Sequence, residues 1–152
     1  MKLLLLLPIT FLSVIVTTRF TAGYYDHVFA GNAAMAVYMI FTGVAHFKYV
    51  KGMVMMIPDI FPAKTALVYI TGLFEIAAGI GLLFYTVREL SAIGLIIFLI
   101  LVFWANVNSS RKKVNLFKAD YSGPGMAYLY RERIPMQVIL IVWTWFFGIY
   151  AG

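Results

Sequence analysis

The chain has 152 residues, of which 63% are hydrophobic and 12% charged, with a mean hydropathy of +0.92. A water-facing globule of this size is roughly half apolar and about a quarter charged. An ordinary soluble enzyme, a disordered chain and a nucleic-acid module are therefore excluded, and an integral membrane protein with little outside the bilayer remains. The absence of cysteine removes disulfides, thiol redox chemistry, thiolate nucleophiles and Cys-ligated metals.

A helix crosses the hydrocarbon core with about 20 apolar residues, and five stretches qualify. The first, residues 3–20, holds the polar Thr10, Ser13, Thr17 and Thr18 and the tolerated Pro8. With Lys2 in front it has the outline of a signal peptide, but Thr17-Thr18-Arg19-Phe20 is a poor cleavage site, so a retained helix is expected. The second covers about 33–49. The third covers about 65–86 and contains one acid, Glu75. The fourth covers about 90–108 and the fifth 134–151, with Pro135 in its first turn, where a missing N–H is harmless. The apolar runs lack period-two alternation, so strands are not expected. The predicted fold is an all-α polytopic bundle of five transmembrane helices forming one membrane domain over 1–152, with no internal repeat.

Loop charge predicts orientation. With a cytoplasmic N-terminus, Lys2, Lys48, Lys51, Lys64, Arg111, Lys112, Lys113, Lys118, Arg131 and Arg133 share one side, leaving Arg19 and Arg88 on the other. That bias predicts N-in and C-out. The net charge of +6 then needs an anionic inner leaflet as its partner and no nucleic acid.

Two cytoplasmic connections stand out. Residues 52–64 carry Met53, Met55, Met56, Ile57, Ile60 and Phe61, with Pro58 and Pro62. They are too apolar for a solvated loop and too few to span, so they should pack at the interface under the bundle. Residues 108–133 form a long connection with a turn at Ser122-Gly123-Pro124-Gly125. Met126 to Tyr130 should return along the interface with tyrosines at headgroup level.

Intramembrane polar residues supply the candidate site. Glu75 lies 11 residues past Lys64, about 16 Å along a helix. Gly72 and Gly79 share its face, as Gly43 shares that of His46. Small residues mark close helix approach, so Glu75 should face the interior. It should be protonated unless His46 or a snorkelling base reaches it. His46, Asn106, Gln137 and Arg133 complete a candidate ligand- or partner-binding set. For Asn106 and Gln137 the favoured role is plain interhelical hydrogen bonding, for His46 a helix-end cap weighs as much as a ligand, and for Glu75 function is favoured, because acids inside membranes are rare and costly. His27, beside Asp26, reads as solvated. No catalytic motif and no metal-binding set is present. Trp104, Trp143 and Trp145 read as packing or interface aromatics.

Taken in order, Gly43-Val44-Ala45-His46-Phe47, Pro58-Asp59-Ile60-Phe61-Pro62, Tyr69-Ile70-Thr71-Gly72-Leu73-Phe74-Glu75, Leu82-Leu83 and Ala105-Asn106 resemble the DoxX-like family of small membrane proteins. The resemblance spans about 30–108, and Arg133-Ile134-Pro135-Met136-Gln137 resembles the start of the last helix in longer bacterial members. One departure is Trp104, where a proline often precedes the Ala-Asn pair. The resemblance implies a four-helix core with one helix added at the N-terminus, in the bacterial cytoplasmic membrane. The family takes its name from a subunit of an archaeal thiosulfate:quinone oxidoreductase, and its animal relatives look like assembly chaperones for channels. Three readings follow: a non-enzymatic accessory, assembly or binding component of a membrane complex, which is the first choice; a redox-associated subunit binding a quinone near His46 and Glu75; and a small proton-coupled transporter, against which the lack of an inverted repeat argues.

Overall fold

The computed structural model describes residues 2–152 and is an all-α bundle. Five helices are long and apolar enough to cross a membrane: α1 (Leu3–Ala22), α2 (His27–Lys48), α4 (Lys64–Gly81), α5 (Arg88–Arg111) and α6 (Met126–Tyr150). A short α3 (Val50–Met56) follows α2 after a break at Tyr49. The chain is thus a multi-pass helical bundle of the kind its composition requires.

Local chemistry sets the boundaries. α1 stops where Gly23 adopts φ 80°, a left-handed turn that glycine takes without steric cost, and the Arg19 guanidinium donates to the Gly23 carbonyl at 2.5 Å. Asp26 caps α2 by accepting from Phe29 N at 2.8 Å, which satisfies an otherwise orphaned donor. α2 therefore begins at His27, six residues before the predicted start. Gly31 and Asn32 lie inside it. α4 ends at Gly81 rather than 86, because Leu83, Phe84 and Val87 donate to carbonyls three residues back and these tight turns stop the helix. The turn is as apolar as the helix, so hydropathy does not mark the stop.

α6 differs most from expectation. Residues 126–130 do not lie apart from it but form its first turns. Leu129–Arg133 is a π-helical turn in which Ile134 N donates to the Leu129 carbonyl. Pro135 follows at once and cannot donate to the carbonyl four residues back, so a widened turn at this point keeps the ladder going. A second π turn, Phe146–Tyr150, closes the helix.

α2 is the central element. Of its apolar stretch 56% is buried, against 22% for each of α4, α5 and α6. It packs most extensively on α4 and next on α1. The core joins Leu7, Ala34, Met35, Tyr38, Met39, Ala78, Leu82, Ala92, Leu95, Leu99 and Leu140. Phe11 of α1 meets Trp143 and Phe147 of α6, each with ring centroids 5.6 Å apart. The outward faces of α1, α4, α5 and α6 are rows of exposed Ile, Leu, Val and Phe. In water that surface would be a severe aggregation liability; facing lipid, it needs no cover.

At the end that carries most of the lysines and arginines, α3 and the segment after α5 pack together. Gly52 is buried, and a Cβ there would run into the Leu116 backbone. Tyr49 meets Phe117 edge-on at 5.1 Å, and Asn108 donates to the Met56 carbonyl at 2.8 Å. The 52–64 segment is thus one short helix followed by a turn in which Phe61 N donates to the Pro58 carbonyl. Met53 to Ile57 are half-buried. Asp59 holds the plate together by bridging Lys64 at 2.6 Å and Lys112 at 2.7 Å.

Candidate functional site

The α2–α4 seam is built on small residues. A Cβ on Gly43 would lie 2.8 Å from the Gly72 carbonyl oxygen, and one on Gly72 would lie 2.6 Å from His46 Cβ. Two turns further along α4, a Cβ on Gly79 would lie 3.1 Å from the Ala36 carbonyl oxygen. The backbones approach this closely only because the side chains are missing, and that approach brings His46 onto α4.

His46 is anchored on three sides. Its Nδ1 lies 3.0 Å from the Val68 carbonyl oxygen and 3.1 Å from Thr71 Oγ1. Its Nε2 faces Glu75 Oε1 at 3.5 Å. Glu75 is only 7% exposed, and its second oxygen, Oε2, is buried with no hydrogen-bond partner among the described residues. A buried polar atom without a partner is a costly exception in a folded protein. Thr71 itself donates to the Leu67 and Val68 carbonyls at 2.8 and 3.0 Å.

Asn106, Gln137 and Arg133 belong to a different seam. Asn106 Nδ2 donates to Gln137 Oε1 at 3.3 Å, Gln137 Nε2 donates to the Leu99 carbonyl, and the Arg133 guanidinium donates to Asn106 Oδ1. Arg133 also lies over the Tyr128 ring, 5.6 Å from its centroid. These contacts tie α5 to α6, the interhelical role expected of Asn106 and Gln137. The expected single polar layer is therefore two: His46 with Glu75 between α2 and α4, and the amide–guanidinium chain between α5 and α6. Tyr38 of α2 stands between them, within electrostatic reach of Glu75 and of Tyr128, with its hydroxyl 3.5 Å from Met136 Sδ.

Sequence reading passed over two residues. Thr71 sits one turn before Glu75, and in the sequence it carries no signal beyond the family-like string that contains it. Asn32 is 1% exposed and donates to the Val28 and Phe147 carbonyls at 2.9 and 2.8 Å. It supports the backbone at the terminal π turn of α6, helped by Trp143 Nε1 donating to the Gly31 carbonyl at 2.9 Å. His27 is exposed at the first turn of α2 and stacks on Tyr25 at 6.2 Å. Among the described residues no group of three or more His, Cys, Asp or Glu could hold a metal.

Two shallow apolar grooves lie away from Glu75. One of about 330 Å³ is lined by α6 residues from Val138 to Phe147, and one of about 220 Å³ lies between α5 and α6 beside Gln137. A family model described as a domain of unknown function (DUF8561) matches residues 15–148. No curated protein and no solved structure matches the chain.

Proposed function

The chain belongs to the DUF8561 family, and within it we propose that this protein is a non-enzymatic binding or accessory component of a membrane complex. The carrying observation is Glu75 Oε2, a buried acceptor without a partner beside His46 on a glycine-lined seam. Such an atom gains a full hydrogen bond from any donor that reaches it. The donor is a polar group of a partner helix or of a lipid-soluble ligand. The resemblance to DoxX-like proteins supports the same reading, because that family is named for a subunit of a membrane oxidoreductase and its animal relatives look like assembly chaperones.

Orientation and location are part of this proposal. The ten-to-two distribution of basic residues favours N-in and C-out in a bacterial cytoplasmic membrane. The test is purification of the intact protein in mild detergent, with lipid, quinone and protein analysis of what is retained. Wild type and Glu75→Gln should be equally monodisperse, and one retained species should be lost from Glu75→Leu. Identical retained material in wild type and a monodisperse Glu75→Leu variant overturns the reading. If the species lost is a quinone, the protein is a quinone-associated subunit and the accessory reading gives way to that one.

A further inference from the structure

We propose that His46 and Glu75 hold one shared proton and that this proton latches α2 to α4. The inference concerns the seam itself and stands apart from any ligand at Oε2.

The hydrogen-bond partners fix the proton count. The Val68 carbonyl can only accept, and Thr71 Oγ1 spends its own hydrogen on carbonyls of its helix. His46 Nδ1, which faces both, must therefore be the donor and carry a hydrogen. In a neutral imidazole that leaves Nε2 as a bare lone pair, and it points at Glu75 Oε1 from 3.5 Å. A lone pair facing an ionised carboxylate at that distance repels it, and Oε2 would then be a buried charge with no partner among the described residues. One added proton removes both problems. On Oε1 it makes a neutral acid that points its hydrogen at Nε2. Transferred, it breaks the Oε1–H bond and forms an Nε2–H bond, giving an imidazolium–carboxylate pair. Both forms have zero net charge, and both attract across the seam.

Loss of that proton leaves one negative charge inside the bundle and repulsion where the helices touch. A second added proton leaves one positive charge. Among the described residues no other charged group is placed to compensate. α1 carries Arg19 in its last turn. On α2 the other titratable groups are Tyr38 and the terminal His27 and Lys48. On α3 there is Lys51. α4 carries Lys64 in its first turn and Tyr69 on its outer face. α5 carries Arg88, Glu89 and Arg111 in its end turns, and α6 has Tyr128, Tyr130, Arg131, Glu132 and Arg133 at its start and Tyr150 at its end. The fixed charges thus sit at the helix ends, and Tyr38 stays uncharged at neutral pH.

The experiment uses the full chain in detergent micelles. With ¹⁵N-labelled histidine and His27→Gln to remove the second signal, the His46 resonances count its protons. The infrared carboxylic-acid band that disappears in Glu75→Gln counts those on Glu75. At neutral pH the sum expected is one proton beyond Nδ1–H: either an acid band with Nε2 bare, or no acid band with both ring nitrogens protonated. A neutral His46 beside an ionised Glu75, an imidazolium beside a protonated acid, or a bare Nδ1 overturns the shared proton. A second measurement addresses the latch. Over roughly pH 6 to 9, below the usual range of tyrosine and lysine, the melting temperature of wild type should fall with rising pH. Glu75→Gln, whose amide can donate to Nε2 at every pH, should hold flat. A parallel fall in both proteins overturns the latch.

Discussion

Gly72 and Glu75 stand three residues apart on α4, and each acts through what it lacks. Gly72 lacks a Cβ, and without that absence His46 could not lie against α4. Gly72→Ala places a methyl carbon 2.6 Å from His46 Cβ and 3.1 Å from the Gly43 carbonyl oxygen, and His46 is itself held against the Val68 carbonyl. Overpacking of this kind costs typically 1–3 kcal/mol, and the melting temperature in detergent should fall accordingly. Gly94→Ala, whose new Cβ would meet only the Phe74 ring edge at 3.4 Å, should change it far less. An equal loss in the two variants contradicts the tight seam. Glu75 lacks a partner for one oxygen, so Glu75→Gln, which keeps a polar group of the same shape, should fold as wild type does. Asn32→Leu removes the donor to the Phe147 carbonyl and leaves a buried acceptor unpaired, a loss of about 1–3 kcal/mol. It should show as faster amide exchange in the last turn of α6.

At the scale of elements, the plate formed by α3, the 57–63 turn and the segment after α5 is held partly by charge. The Lys112 ammonium, and after it that of Lys64, hold the Asp59 carboxyl down to about 2 from its ordinary 3.8. A carboxyl with a lowered folded-state pKa stabilises most above its unfolded value and loses that contribution as pH falls through the folded one. The plate should therefore be insensitive to pH above about 4 and loosen between about 4 and 2. Amide exchange of residues 57–63, read against pH, should show this in wild type and not in Asp59→Asn. Since Asp59 is exposed, salt should weaken the effect through screening. A plate that loosens identically in Asp59→Asn does not depend on this bridge.

For the whole molecule, the prediction is topological. Reporter fusions after Met55, Arg88 and Asp120 should read cytoplasmic, external and cytoplasmic. The contacts of α3 with Leu116 and of Asn108 with Met56 require the first and third sites to lie on one side of the bundle. Opposite readings at Met55 and Asp120 would therefore contradict the fold as well as the orientation.

How much of this was legible in the sequence follows from which forces act locally. Five apolar helices and an interior Glu75 could be read directly, because the cost of placing peptide groups and charges in hydrocarbon depends on composition along the chain alone. Gly43, Gly72 and Gly79 could be read as a packing stripe because helical spacing is fixed. The start of α2, the stop of α4 and the extension of α6 back to Met126 could not. They depend on an Asp26 cap, a turn as apolar as the helix it ends, and a π turn before Pro135, none of which alters hydropathy. The pairing of the polar residues was equally out of reach. His46 and Glu75 lie 29 positions apart, Asn106 and Gln137 31, and only the antiparallel packing of α2 on α4 and of α5 on α6 decides which meets which. Composition along the chain required that polar groups find partners inside the bundle. Tertiary structure decided that those partners form two separate seams, because each side chain reaches only the helix that small residues or a shared core allow to come close.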